Sequence, residues 1–223
     1  FSGGSLAELG IPDPGAATTV GLPALRGVAW LLMALATGSF LLSAFLIPPK
    51  QTQEDLNGAR LTVDGHLASR TGAHASAGIA LIGLAMIPLV LSDVSGQPLK
   101  TVLFEAAAWS QALDQVADAR VWLIVAVFAA VVAAFAYTAT SWWSQVWLFV
   151  GAIVVVMPIA LTGHSATGGA HDFGTNSLIW HLVAMLLWVG GLMALVAHAL
   201  RRGPGLTAAT QRYSRIALFS ILA

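Results

Sequence analysis

Apolar runs alternate along the chain with short polar breaks, and the charged residues gather mostly in the breaks. The runs cover residues 25–47, 68–91, 121–137, 143–161 and 176–200, and a further one starts near Tyr213 and continues to the last residue. Each complete run is close to the ~20 residues that a helix needs to cross the hydrocarbon core of a bilayer. The pattern therefore predicts an all-α fold, a polytopic transmembrane helix bundle with about six spans, the last one incomplete. Pro48 and Pro49 close the first run, as expected where a helix must stop. Residues 1–22 are rich in Gly, Pro and Ala and contain the turn sequence IPDPG, so they are expected to form an outer loop, with the bundle occupying 23–223.

One segment follows a different rule. In residues 98–117, Leu99, Val102, Leu103, Ala106, Trp109, Leu113 and Val116 recur at intervals of three and four, with Lys100, Glu105, Asp114 and Asp118 largely off that stripe. This spacing predicts an amphipathic helix lying on the membrane surface or over the bundle, with Leu103, Ala106 and Leu113 turned toward it. Gly72, Ser76 and Ala80, and again Gly190 and Ala194, form small-residue stripes of the kind that lets helices approach closely.

Composition sharpens the class. Of 223 residues, 57% are hydrophobic and 9% charged, against about 25% charged in a soluble domain. Net charge is zero, so there is no basic footprint for nucleic acid. The absence of cysteine excludes disulfides and thiolate metal sites. The chain opens on Phe1 without a basic leader segment and stops within the apolar run IALFSILA, so it is expected to be a piece of a longer protein with an earlier span upstream.

The basic residues set an expected orientation. Arg201, Arg202, Arg212 and Arg215 follow the fifth run, which places that loop in the cytoplasm under the positive-inside rule. Counting back, the loop 162–175, the amphipathic segment and the amino-terminal segment lie outside, and the loop with Lys50 and Arg60 lies inside. The expected location is a cytoplasmic membrane.

Against this frame the histidines divide by depth. His164, His171 and His181 belong to the outer ends of the fourth and fifth spans, around the glycine-rich GHSATGGAHDFG. His74 and His198 lie toward the inner surface, and His66 in the inner loop. A lone imidazole in a span is often a polar contact between helices, but ionisable groups inside a membrane are costly and mark functional candidates. Met185 follows His181 by four residues, on the same helical face, and Met157 precedes His164 by seven. Imidazole with thioether, without thiolate, is a donor set suited to copper. The candidate metal ligands are therefore His164, His181, His171 and Met185 at the outer side, with His74 and His198 at the inner side. His181 and His198 are seventeen residues apart, hence about 100° apart around the helix axis, so no single helix carries a path from one surface to the other.

The stretch GHSATGGAHDFGTNSLIWHLVAMLLWVGGLMAL, followed by RYSRIALFSILA, resembles the CopD family of bacterial copper-resistance and copper-uptake membrane proteins. The residues that carry the resemblance are Gly163-His164, His181-Leu182, Trp188 to Leu192 and Arg212 to Ser214. The opening LGIPDPGAATTVGLPALRGVAWLLMALATGSFLLSAFLIPP is similar to actinobacterial versions, in many of which a CopD-like half is fused to a CtaG-like half associated with cytochrome c oxidase assembly. The resemblance implies copper movement across the cytoplasmic membrane, with His164 and His181 as matched ligands and with respiratory oxidase subunits or a CtaG-like half as partners. Two other readings stand beside it. One is a haem-binding electron-transfer protein, with haem b between His74 and His198 or between His164 and His181. The other is a metal-free structural or assembly subunit of a respiratory complex. No nucleophile–base or carboxylate pair stands out, so no enzymatic activity is expected.

Overall fold

The computed structural model describes residues 15–47, 60–104, 106–162 and 171–222. Helix α1 spans Ala16–Leu41 and runs directly into a π-helical turn, Leu42–Leu46. Helix α2 is Val63–Ser95, α3 is Leu99–Phe104, α4 is Ala106–Gln115, α5 is Ala117–Thr138 and α6 is Trp142–Thr162. Helix α7, His171–Met185, continues through a second π-helical turn, Leu186–Gly190, into α8, Gly191–Leu200, and α9 is Leu206–Leu222. Five of these helical stretches are long and apolar enough to cross a membrane. The 17-residue α9 lies where the sequence pattern starts its sixth apolar run.

Helix lengths explain where the first element begins. Helix α5 has 22 residues, so it measures ~33 Å and matches a hydrocarbon core of about 30 Å. The first span has 31 residues and α2 has 33, so both overshoot. They overshoot at the same end, because Thr18 Oγ1 and Ser92 Oγ, both buried, are joined by a 2.8 Å hydrogen bond. Arg26 meets Asp118 in the first turn of α5 at 2.5 Å. The ten residue steps from Ala16 to Arg26 therefore project ~15 Å past the start of α5. Residues 16–22, expected as part of an outer loop, are therefore helical. From Ala16 onward the chain is helical, because it has a second helix to pack against. Residues 1–14 lie outside the described residues.

The segment 98–117 is helical as two helices, α3 and α4. Val102 takes the buried position and packs on the core with the partly buried Leu99, Trp109 and Val116. Leu103, expected to face inward or into the membrane, is 46% exposed beside the still more exposed Phe104. Leu113 is half-buried, and the side chain of Ala106 lies outside the described residues.

The other end of the bundle gathers basic groups. Leu61 N–H donates to Thr140 O, and Arg60 pairs across to Ser141, joining the segment before α2 to the α5–α6 turn. Arg70 stands over the Tyr137 ring at 5.5 Å. Arg201 donates to Thr71 Oγ1 and Arg212 to Leu46 O. At the start of α2, Thr62 accepts from Gly65 N–H at 3.1 Å, while Ser43 Oγ donates to Gly65 O at 2.8 Å. Removing this cap by Thr62→Ala should lower stability by about 1 kcal/mol, read as a small drop in the thermal midpoint with the fold intact.

The main core runs between α1, α2, α5 and α6 and includes Met33, Phe40, Ile79, Met86, Trp122, Val125, Leu148 and Val156. Small residues set its spacing. A Cβ on Gly72 would lie 2.6 Å from the Phe40 ring, and one on Gly83 would lie 2.9 Å from Ala126 Cβ. Trp142 donates its indole N–H to Ala44 O at 2.6 Å and so fixes α6 against the first π-turn. Ile124, Val127, Val131 and Phe135 of α5 are turned outward, as an apolar stripe facing lipid requires.

Candidate functional site

Helix α1 and the α7–α8 helix run in the same direction and touch backbone to backbone. A Cβ on Gly38 would fall 1.8 Å from Gly190 O, and one on Gly190 would fall 2.2 Å from Ala34 O. Below this crossing the helices are in contact, and toward the Arg26–Asp118 end they diverge. The space between them is a cavity of about 350 Å³ lined by Gly27, Trp30, Leu31 and Ala34 of α1 and by His181, Leu182, Met185, Leu186 and Val189 opposite. Gly27 contributes to its width, since a Cβ there would meet nothing within 4 Å.

Two of the lining side chains carry lone pairs suited to a soft metal ion. His181 is exposed, Met185 is 37% exposed, and they are one helical turn apart on one face of α7. Among the described residues the rest of the wall is apolar apart from the Trp30 indole, and no Lys, Arg, Asp or Glu lines it. A cation placed here would meet an imidazole and a thioether without a fixed positive charge to repel it. His181 lies level with Gly27 to Leu31, one to two turns from the Arg26–Asp118 contact, so the cavity is near one end of the bundle rather than at its middle.

The other sequence candidates are placed differently. His164 lies outside the described residues. His171 opens α7, and only its backbone is described. His74 is exposed on α2, with Nδ1 2.6 Å from Arg70 O and its ring edge-on to Tyr137 at 5.5 Å. His198 is 3% exposed, with Nε2 3.2 Å from Pro204 O, and its ring fills the space where a Cβ on Gly203 would sit. Both rings thus make the local polar contacts typical of lone intramembrane histidines. Among the described residues no group of three or more His, Asp or Glu side chains could hold a metal ion. Haem gains no support from these placements.

Sequence reasoning passed over Trp30, Gly27 and Gly38, which shape the cavity and the crossing. Arg26 carried a signal that could have been used, as a lone cation inside an apolar run whose partner must come from a neighbouring helix.

An all-helical bundle with five membrane-length helices and a cavity near one of its ends defines a multi-pass membrane protein. Residues 17–175 match the copper resistance protein D-like N-terminal domain, and the chain belongs to that family. His181 and Met185 lie just beyond the matched residues. The chain is 29% identical over 187 residues to an uncharacterized protein of Mycobacterium bovis and, equally, to one of Mycobacterium tuberculosis. The alignments cover 82% of this chain but only 27% of each relative, so the chain spans about a quarter of their length. No solved structure matches it at a significant level.

Proposed function

We propose that the chain is the copper-handling part of a bacterial cytoplasmic-membrane protein, taking copper at the outer face for uptake or for delivery to cytochrome c oxidase assembly. The observation that carries this reading is the cavity between α1 and α7, with His181 and Met185 side by side on an otherwise apolar wall. Copper is the cargo here. Copper(I) accepts two or three soft or borderline donors, and this pair supplies two without adding charge at the membrane edge. His164 and His171 are the nearest candidates in sequence for a third. Orientation follows from the arginines at the opposite end, where Arg60, Arg70, Arg201 and Arg212 gather. That end is cytoplasmic under the positive-inside rule, which leaves the amino-terminal helical extension, the loop 162–175 and the cavity at the outer side. The protein is read as a carrier or delivery site rather than an enzyme, with a CtaG-like half or oxidase subunits as recipients.

The test is copper stoichiometry and affinity of the purified full-length protein. His181→Ala should weaken copper(I) binding by at least about 100-fold, because even groups that only orient a metal ligand contribute about 10–100-fold. Met185→Leu should weaken it less, and His66→Ala not at all. A wild-type protein that binds no copper, or a His181→Ala variant that binds it normally, would remove the basis of this reading.

A further inference from the structure

The motif Arg212-Tyr213 in α9 reaches two irregular turns at once. Arg212 Nη1 donates to Leu46 O at 3.1 Å, at the end of the first π-turn. Tyr213 Oη donates to Trp188 O at 2.5 Å, within the second. The Tyr213 ring lies flat enough against Gly191 that a Cβ there would come within 2.4 Å of it. Around these contacts sits a separate buried cluster of Leu41, Leu42, Leu46, Ala194, Leu195, Ala209 and Tyr213. The second π-turn is thus held by α1 on one side, through Gly38 and Gly190, and by Tyr213 on another.

A π-turn is an α-helical turn with one residue inserted, and such turns occur frequently at functional sites. One inserted residue rotates the helix on one side by ~100° and shifts it by ~1.5 Å relative to the other side. The second π-turn begins at Leu186, the residue after Met185. Whether that turn is π or α therefore decides which way His181 and Met185 face relative to α8. A tyrosine hydroxyl buried among apolar groups needs an acceptor, and here the acceptor is a carbonyl of the inserted turn.

We infer that Arg212 and Tyr213 are positioning residues that lock the two π-turns, and that the Tyr213 bond to Trp188 O holds His181 and Met185 in the α1–α7 cavity. The link to copper rests on the function proposed above, whereas the lock itself does not.

This chain has no cysteine, so once any cysteine elsewhere in the full-length protein is replaced by serine, spin labels go cleanly on Ser177→Cys in α7 and Val131→Cys in α5, both exposed positions. In the full-length protein, pulsed EPR should give one narrow distance between them. Tyr213→Phe, which removes only the hydroxyl, should shift or split that distance by several ångströms, as a ~100° rotation of a helix about 10 Å across requires. Copper(I) affinity should fall about 10-fold or more. Arg212→Gln should shift the distance in the same direction, and Ser214→Ala, whose hydroxyl donates to Gln211 O within its own helix, should leave it unchanged. If Tyr213→Phe cannot be recovered folded, Arg212→Gln decides the outcome. An unchanged distance distribution overturns the lock, whatever copper does. A shifted distribution in a protein that binds no copper upholds the lock and sinks the copper reading.

Discussion

Gly38→Ala will separate α1 from the α7–α8 helix and destabilise the bundle by about 3 kcal/mol or more, at or above the upper end of ordinary overpacking. The methyl group would lie 1.8 Å from Gly190 O and 2.1 Å from Gly190 C, and both are backbone atoms. A side chain in that position could change rotamer, but a carbonyl in a helix can move only with its helix. Helix propensity acts in the opposite direction, since alanine exceeds glycine by ~1 kcal/mol in a helix interior. The clash outweighs it. Gly190→Ala should behave likewise, with its methyl group 2.2 Å from Ala34 O. Gly27→Ala is the control, because it lies in the same helix with nothing within 4 Å of a Cβ. It should leave stability unchanged or raise it by up to ~1 kcal/mol. Thermal midpoints in detergent, followed by size-exclusion recovery, would rank the three variants. Equal midpoints for Gly38→Ala and Gly27→Ala would mean that the backbone crossing is not made.

Much of this arrangement is legible in the pattern of apolar runs. Length and hydropathy are the physical requirements of a membrane span, so each of the five membrane-length stretches coincides with a run read from the sequence. What the runs could not reveal is interruption without a change of hydropathy. Leu42–Leu46 and Leu186–Gly190 are as apolar as the helices they interrupt, and π geometry leaves no mark in composition. The start of α1 was hidden for the opposite reason. A Gly-, Pro- and Ala-rich segment looks like a loop until the Thr18–Ser92 contact gives it a partner.

The site was half legible. His181 and Met185 share a face by simple i, i+4 spacing, and the cavity sets them side by side. Their surroundings come from another helix and had no sequence signal, because the divergence of α1 from α7 above Gly38 is a property of the crossing. Gly190 was marked as a small residue for close packing. Its counterpart Gly38 was not, since a single glycine in an apolar run belongs to no stripe.

Phe40→Ala should lower stability by about 3–5 kcal/mol, the range for truncating a fully buried aromatic side chain. Phe40 is 0% exposed and its ring lies against the backbone of Gly72, where an added Cβ would come within 2.6 Å. This fit of a large side chain over a missing one sets the register of α1 on α2, together with the Ser43–Gly65 hydrogen bond and the Thr18–Ser92 bond at the far end. Because both sites share one contact, their effects should not add. Gly72→Ala alone should be destabilising, as the new methyl group displaces the Phe40 ring. In a Phe40→Leu background, where the ring is gone, it should cost distinctly less. The double-mutant cycle over Phe40→Leu and Gly72→Ala is therefore expected to give a coupling energy in the range of about 0.5–3 kcal/mol for residues in contact. Strict additivity would show that the ring and the glycine do not meet. Helices α1 and α2 would then have to be held in register by the polar contacts at their ends, and Thr18→Val, which removes the hydroxyl bonded to Ser92, would become the more damaging change.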